Sequence, residues 1–460
     1  MRRIGERAVV IGGSMGGLVA ARVLSEAYER VTVLDRDALP AGPVARKGVP
    51  QGRHAHAVIP GGRAALEELF PGLTGEAEGL GAPVGDAGSD VRWFQLGARL
   101  APAPIGLKGL HVSRPLLEEL VRARVRATEN VEVVDRADVA GLTASAGRVT
   151  GVRLLRGRDG SAEERIGADL VVDASGRGSR APRWLAELGY EAPAEEAMRV
   201  DVTYVTRRFR ARRQATGGDL AIVIGATPES PRLGVLIELE NGVWIVSLAG
   251  YLGERAPVEL DGFLAYAQSL SNPDIADALR GAEPLDDGAT HRFPASLRRR
   301  YERLRRFPDG LVAFGDALCS FNPIYAQGMT VAARQALALR GCLARGAEGL
   351  PRRFHRRAAR EVDPAWKVVA SSDLRIPAVE GARPAPVRAV NAYMARLLTG
   401  AGRAPSTAGM RRSLLVTTFQ AGSSSRAAIR WNRRGRPAAP RARQPRSARA
   451  WRAATVIPWA

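Results

Sequence analysis

Gly12-Gly13-Ser14-Met15-Gly16-Gly17 stands between the apolar run Ala8-Val9-Val10-Ile11 and a segment, Met15 to Ala27, whose apolar residues recur at helical spacing. Val31 to Leu34 then reads as a second strand and ends at Asp35, 18 residues past Gly17. Strand, glycine turn, helix, strand and acid, in that order, make a dinucleotide-binding βαβ unit. Gly12 allows the tight turn, Gly13 and the small Ser14 let a pyrophosphate approach the backbone, and Gly17 lets helix and strand pack closely. Around Met15 and Gly16 the helix N-terminus offers unpaired N–H groups and its positive dipole end. Asp35, with Arg36 beside it, can accept hydrogen bonds from ribose hydroxyls. An acid at that position favours an ADP moiety without a 2′-phosphate, hence FAD or NAD.

The same letters, Gly12 to Gly16, also fit the G-x-S-x-G elbow of α/β-hydrolases, with Ser14 as nucleophile and His291 or His355 as base. An elbow on the first strand would lack most of the sheet that normally precedes it, and Asp35 would be idle.

With 460 residues and 45% hydrophobic content, the chain can bury real cores, which excludes a peptide, a coiled coil and a wholly disordered protein. Two cysteines, Cys319 and Cys342, cannot form a disulfide framework, and no apolar run approaches bilayer length, so a cytoplasmic location is expected. The net charge of +21 is concentrated at one end: from Gly381 onward there are 16 arginines and no acidic residue. Residues 422–460 read as a disordered Arg-rich tail. It is either a nonspecific polyanion-binding arm or sequence translated out of frame; it contains no ordered nucleic-acid module.

Further along, Arg114 to Ala127 is an amphipathic helix, Val131 to Val134 and Val149 to Leu155 are strands, and Ala168 to Val172 is a buried strand ending in Asp173. Between Met198 and Gly250 the period falls to two, with Asn241-Gly242 as a hairpin turn, which predicts an inserted antiparallel sheet. Leu311 to Phe314 returns to a buried strand. A helix follows over Thr330 to Leu343, and another over Phe354 to Ser371 with a break at Pro364. The arginine clusters at 298–300 and 305–306 read as solvated helix faces. The fold class is therefore α/β: a Rossmann-like nucleotide-binding domain in two parts (1–195 and 301–345), an inserted antiparallel-sheet substrate domain (196–300), and C-terminal helices (346–421).

Two more landmarks complete the pattern. One is Asp169-Leu170-Val171-Val172-Asp173-Ala174-Ser175-Gly176-Arg177-Gly178; the other is Gly310-Leu311-Val312-Ala313-Phe314-Gly315-Asp316, followed by Phe321-Asn322-Pro323-Ile324-Tyr325-Ala326-Gln327-Gly328-Met329. With Arg46-Lys47-Gly48-Val49-Pro50-Gln51-Gly52-Arg53-His54-Ala55-His56, these stretches resemble the FAD-dependent aromatic-hydroxylase-like monooxygenases. More narrowly they resemble the actinobacterial flavin epoxidases of polyether biosynthesis, distant relatives of squalene epoxidase. The similarity runs from about residue 7 to about residue 400.

The resemblance implies a set of roles. Asp316 would bond the ribityl chain or pyrophosphate, and Gly315 precedes it in the family's Gly-Asp motif. Gln327, Gly328 and Met329, after Pro323, would begin a helix whose N–H groups face flavin N1 and O2. Arg114 would contact phosphate or ribityl oxygens, Val139 would touch adenine through its backbone, and Arg46 and Lys47 would lie on a loop covering the flavin. Asp173 and Gly176 would belong to the same cofactor site. The implied chemistry is transfer of one oxygen atom from O2, through a flavin C4a-hydroperoxide, to a small apolar substrate, by epoxidation of a polyketide or isoprenoid alkene. NAD(P)H would reduce the FAD, directly or through a flavin reductase. No protein nucleophile and no metal are required, and His54 and His56, two residues apart, read as loop or flavin-facing residues rather than a metal pair. Val202, Tyr204, Leu236, Trp244 and Val246 are expected to wall the substrate pocket. Saturation of isoprenoid double bonds, as in a prenyl reductase, is the alternative within flavoenzymes.

Overall fold

A computed structural model of the chain describes residues 3–156 and 162–385, with 387–389, 391–392 and 395–396 beyond them. The Arg-rich tail and most of the segment before it lie outside the described residues.

The apolar runs form a five-stranded parallel sheet in the order Leu311–Ala313, Leu170–Asp173, Gly5–Ile11, Tyr28–Leu34 and Val131–Val134. Ala8 to Ile11, Leu170–Asp173 and Leu311–Ala313 are buried without a break, as a parallel sheet covered by other elements requires. Helices Met15–Leu24, Arg114–Arg126 and Gln327–Leu343 share one core with this sheet. Ile11 is level with Leu34 and with Asp173, and Asp173 with Ala313, so four strands end on one line. Chain order reverses between Gly5–Ile11 and Leu170–Asp173, and the crevice at such a switch point is where open α/β sheets take ligands.

The inserted sheet runs Cys319–Ser320, Ala289–Arg299, Glu195–Arg210, Val243–Gly250, Arg232–Glu238, Ala221–Ile224, Val91–Gln95 and Ala98–Arg99, with Glu283–Pro284 also paired to Glu195–Arg210. It draws strands from outside 196–300, because Val91–Gln95 pairs in parallel with Ala221–Ile224. Asn241 and Gly242 turn the predicted hairpin with φ of 61° and 66°. Helices Leu260–Gln268 and Asp274–Ala278 cover one face, where Phe263 and Ile275 pack on Leu236, Trp244 and Val246. Those three residues are therefore core under the helices and not pocket wall. Val202 and Tyr204 belong to a different cluster, with Phe293 and Tyr251.

Two further expectations are corrected. Arg298 and Arg299 lie on the strand Ala289–Arg299, buried, with Arg298 paired to Asp363 at 2.6 Å and Arg299 to Glu195 at 2.8 Å. Their charges are matched by acids distant in sequence, so they do not need solvent. The helix Leu350–Asp373 continues through Pro364. Phe354, Ala358, Val362, Ala365 and Val369 form one buried stripe, and their packing outweighs the roughly 3 kcal/mol that an interior proline costs.

The glycines of the first turn differ in what a Cβ would meet. At Gly17 it would collide with the Gly12 carbonyl, whereas at Gly16 there is nothing within 4 Å. Gly17→Ala is expected to destabilise by about 3 kcal/mol, and Gly16→Ala to stabilise by up to about 1 kcal/mol through the lower entropy of the unfolded chain. Urea unfolding midpoints check both; equal effects at the two positions would contradict this packing.

Candidate functional site

Three distant segments meet at the line of strand ends. Gly12 has φ +102°, and a Cβ there would lie 2.6 Å from the Ala174 carbonyl oxygen, so the loop after Asp173 rests on the first turn. A Cβ on Gly315, φ +62°, would lie 3.9 Å from Gly16 Cα, and one on Gly328 would lie 3.8 Å from Asp316 Oδ1. The turn at 12–17, the Gly315-Asp316 turn and the start of helix Gln327–Leu343 therefore border one crevice. Gly176, φ +86°, has open space where a side chain would be. Asp316 feels Arg114 and Arg177, but burial dominates and pushes its carboxyl up to about 6.

Asp35 is buried at the tip of its strand, where its Oδ2 accepts from Gly13 N at 2.7 Å and its Oδ1 from Asp37 N at 2.8 Å. Arg46 reaches the same place: Nη1 lies 3.2 Å from Asp35 Oδ1 and 2.8 Å from Asp37 Oδ2, and Nε donates to Glu118 Oε1 at 2.9 Å. Glu118 Oε2 accepts from Ser14 Oγ at 2.9 Å and from Arg114 Nη2 at 3.1 Å, and Arg114 Nη2 also donates to Ser14 Oγ at 2.7 Å. Burial works against the charge on Glu118, yet Arg114 and Arg46 outweigh it and hold the carboxyl below its usual range.

Glu118 and Asp37 were not singled out from the sequence. The signal for Glu118 was present: Arg114, Glu118 and Arg122 are spaced four apart on one helix, and Arg122 Nη1 lies 3.6 Å from Glu118 Oε1.

The remaining candidates divide. Met15 is buried in the main core at the first turn, and Gln327 is buried at the start of its helix. Met329 is partly buried against that core, and Pro323 opens the short turn Pro323–Tyr325, capped by Asn322. Arg36 and Lys47 are exposed. The Asp173 carboxylate accepts from Ser175 N at 3.1 Å and from the hydroxyls of Ser175 and Ser179, so it shapes its own loop. The Val139 carbonyl accepts from Arg180. His54 lies on the inserted sheet, its Nδ1 2.8 Å from Thr206 Oγ1, while His56 Nδ1 bonds the His54 carbonyl.

The hydrolase reading fails on geometry. Ser14 has an ordinary extended backbone, φ −91°, and its hydroxyl is held by Glu118 and Arg114. His355 Nε2 accepts from Ala313 N within the core, and His291 stands beside Tyr204 on the inserted sheet, so neither forms a base for Ser14. Among the described residues no group of three or more His, Cys, Asp or Glu could hold a metal, and no helix is long and apolar enough to cross a membrane.

No family model matches the chain. Protein Rv3254 of Mycobacterium tuberculosis is 37% identical over 381 residues, covering 80% of this chain and 80% of its own length. The 6-methylpretetramide 4-monooxygenase of Streptomyces rimosus is 28% identical over 366 residues, 75% of this chain and 76% of that protein. Among solved structures, the flavin-dependent brominase Bmp2 superposes with a TM-score of 0.67 at 13% identity, over 91% of this chain and 94% of its own. The p-nitrophenol 4-monooxygenase PnpA from Pseudomonas putida DLL-E4 does so with a TM-score of 0.62 at 16% identity, over 92% and 100%. At such identities the structures speak for the fold, and the sequence relatives carry the kinship. The fold and these relatives together place the chain in the FAD-dependent aromatic-hydroxylase-like monooxygenase family.

Proposed function

We propose that this chain binds one FAD in the crevice at the strand ends. There it inserts one oxygen atom from O2 into an apolar substrate, with epoxidation of a polyketide or isoprenoid alkene as the reaction and NAD(P)H as the electron donor. The observation that carries this reading is the meeting of the 12–17 turn, the loop after Asp173 and the Gly315-Asp316 turn with so little between their backbones.

The residues present fit the cofactor. Arg46 Nη2 is buried without a hydrogen-bond partner, although the rest of its guanidinium is satisfied. Such an orphaned cationic donor beside a helix N-terminus suits a phosphate oxygen. Asp35 would hold the ribose, Arg46 and Arg114 the pyrophosphate, and Asp316 the ribityl hydroxyls. The 17-residue helix from Gln327 would direct its N-terminal dipole at the ring edge that gains negative charge on reduction. When bound, FAD supplies the two-electron redox chemistry and oxygen activation that no side chain of this set provides. The chain's own work is positioning and exclusion of water, for which the apolar residues Val223 and Val235 beside Ala55 and Ala57 are suited. Aromatic hydroxylation is a second reading, favoured by the kinship with a protein named as a monooxygenase of 6-methylpretetramide.

Purified protein should be yellow and release FAD on heating, with one FAD per chain after reconstitution. Asp35→Ala should weaken FAD binding roughly 10- to 100-fold, the range expected for a buried charged hydrogen-bond partner. A colourless protein that cannot be reconstituted would remove the proposal. With FAD in place, oxygen-18 from labelled O2 in the product separates oxygenation from double-bond reduction.

Asp316 gives a test with a sign. Its folded-state value of about 6 lies above the ordinary 3.8, so its stabilising share is fully present below pH 4 and lost as pH rises through 6. Flavin-stripped Asp316→Asn should therefore melt with the wild type near pH 4 and above it by a few degrees at pH 7 to 8, while binding FAD more weakly. Thermal unfolding across that range checks this; a wild type that is the more stable at pH 8 would contradict it.

A further inference from the structure

One face of the inserted sheet is covered by helices and the other receives the segment around His54, and on that second face polar groups gather. Tyr204 and Thr206 point the same way on the strand Glu195–Arg210, Thr206 is in register with Ser247, and Tyr204 with His291. The His54 ring stands edge-on to Tyr204 with centroids 4.6 Å apart, and His291 lies 5.7 Å from His54 and 5.4 Å from Tyr204.

The hydrogen bonds assign the His54 tautomer. Ala55 N donates to Ser247 Oγ at 3.2 Å, Ser247 Oγ lies 2.5 Å from Thr206 Oγ1, and Thr206 Oγ1 lies 2.8 Å from His54 Nδ1. Run in that direction, each hydroxyl proton has an acceptor and the chain ends on Nδ1 as an acceptor. Run in reverse, the Ser247 proton has no acceptor among the described residues. The direction that satisfies both hydroxyls within the protein leaves the His54 proton on Nε2.

His54 and Tyr204 are 4% and 6% exposed, yet neither His54 Nε2 nor Tyr204 Oη has a hydrogen-bond partner among the described residues. Neither atom is among the fully enclosed ones that lack partners, so both open onto space. The patch is also uncharged at neutral pH. Burial pushes His54 down to about 3, with His291, His56 and Arg53 acting in the same direction; burial lowers His291 and raises the Tyr204 hydroxyl well above its ordinary value. Two neighbouring neutral donors, on rings 4.6 Å apart, suit an uncharged oxygen and do not suit a carboxylate.

We propose that His54 Nε2 and Tyr204 Oη bind an uncharged oxygen of the substrate, a carbonyl or a hydroxyl. This inference rests on the monooxygenase reading above and narrows it: the substrate carries oxygen before the reaction, as a polyketide skeleton does and a bare isoprenoid hydrocarbon does not. His54 and Tyr204 are then specificity residues, and Thr206 and Ser247 are positioning residues that hold the tautomer.

The test compares 9-fluorenone with fluorene, a ketone and its hydrocarbon of nearly the same shape, and adds fluorene-9-carboxylate as the anionic member. Binding to the FAD-loaded full chain is measured by equilibrium dialysis, with FAD content recorded for each protein. Wild type should prefer fluorenone over fluorene about tenfold and should also prefer it over the carboxylate. His54→Phe should abolish the preference with FAD content unchanged, His54→Gln should retain much of it because the amide can donate, and Thr206→Val should reduce it. Equal binding of fluorenone and fluorene, no detectable binding of either, tighter binding of the carboxylate, or a preference surviving in both His54→Phe and Tyr204→Phe would overturn the proposal. A yellow protein without the preference sinks this inference alone, and a colourless protein that keeps it sinks the flavin reading alone.

Discussion

The whole arrangement depends on how closely backbones approach at the ends of the parallel strands. The Ala174 carbonyl sits where a side chain on residue 12 would be, and the Gly12 carbonyl sits where one on residue 17 would be. Contacts of this kind leave no room for adjustment, because the obstructing atoms are backbone rather than the ends of flexible side chains. They fix the helix Met15–Leu24 against its strand and aim its N-terminus into the crevice. The Gly315 turn, set against Gly16 with a positive φ, then closes the far side.

Around that frame the chain buries an unusual amount of charge. Asp35, Asp37 and Glu118 face Arg46, Arg114 and Arg122 within one connected network. Burying ions is costly unless each is paired, and the alternation of signs here provides that pairing. Two guanidinium nitrogens, Arg46 Nη2 and Arg122 Nε, are nonetheless left without partners. Under the proposed function, a pyrophosphate oxygen of FAD would complete the donor set of Arg46.

Local chemistry was legible in the sequence, and long-range pairing was not. The glycine turn, Asp35, the βαβ order and the Asn241-Gly242 hairpin depend on residues near one another in the chain, and each stands where the pattern puts it. Leu236, Trp244 and Val246 were assigned to the wrong face because both faces of the inserted sheet are largely apolar, so a period of two cannot say which is inward. Arg298 and Arg299 look like solvated residues until Glu195 and Asp363 are brought beside them by strand pairing and helix docking. Asp173 carries a motif acid whose partners, Ser175 and Ser179, are local, and only the folded loop shows that it bonds to them. The polar patch of His54, Tyr204 and His291 is assembled from three separate segments, which no spacing in the sequence reveals.

A crystal structure of the protein grown with FAD addresses the central claim most directly. The account predicts a single FAD with its ribose on Asp35, its pyrophosphate over the Gly12–Gly17 turn within reach of Arg46 and Arg114, and its ring at the start of helix Gln327–Leu343. Density for the nucleotide elsewhere, or a crevice between Gly16 and Gly315 that stays closed by side chains at saturating FAD, would contradict it.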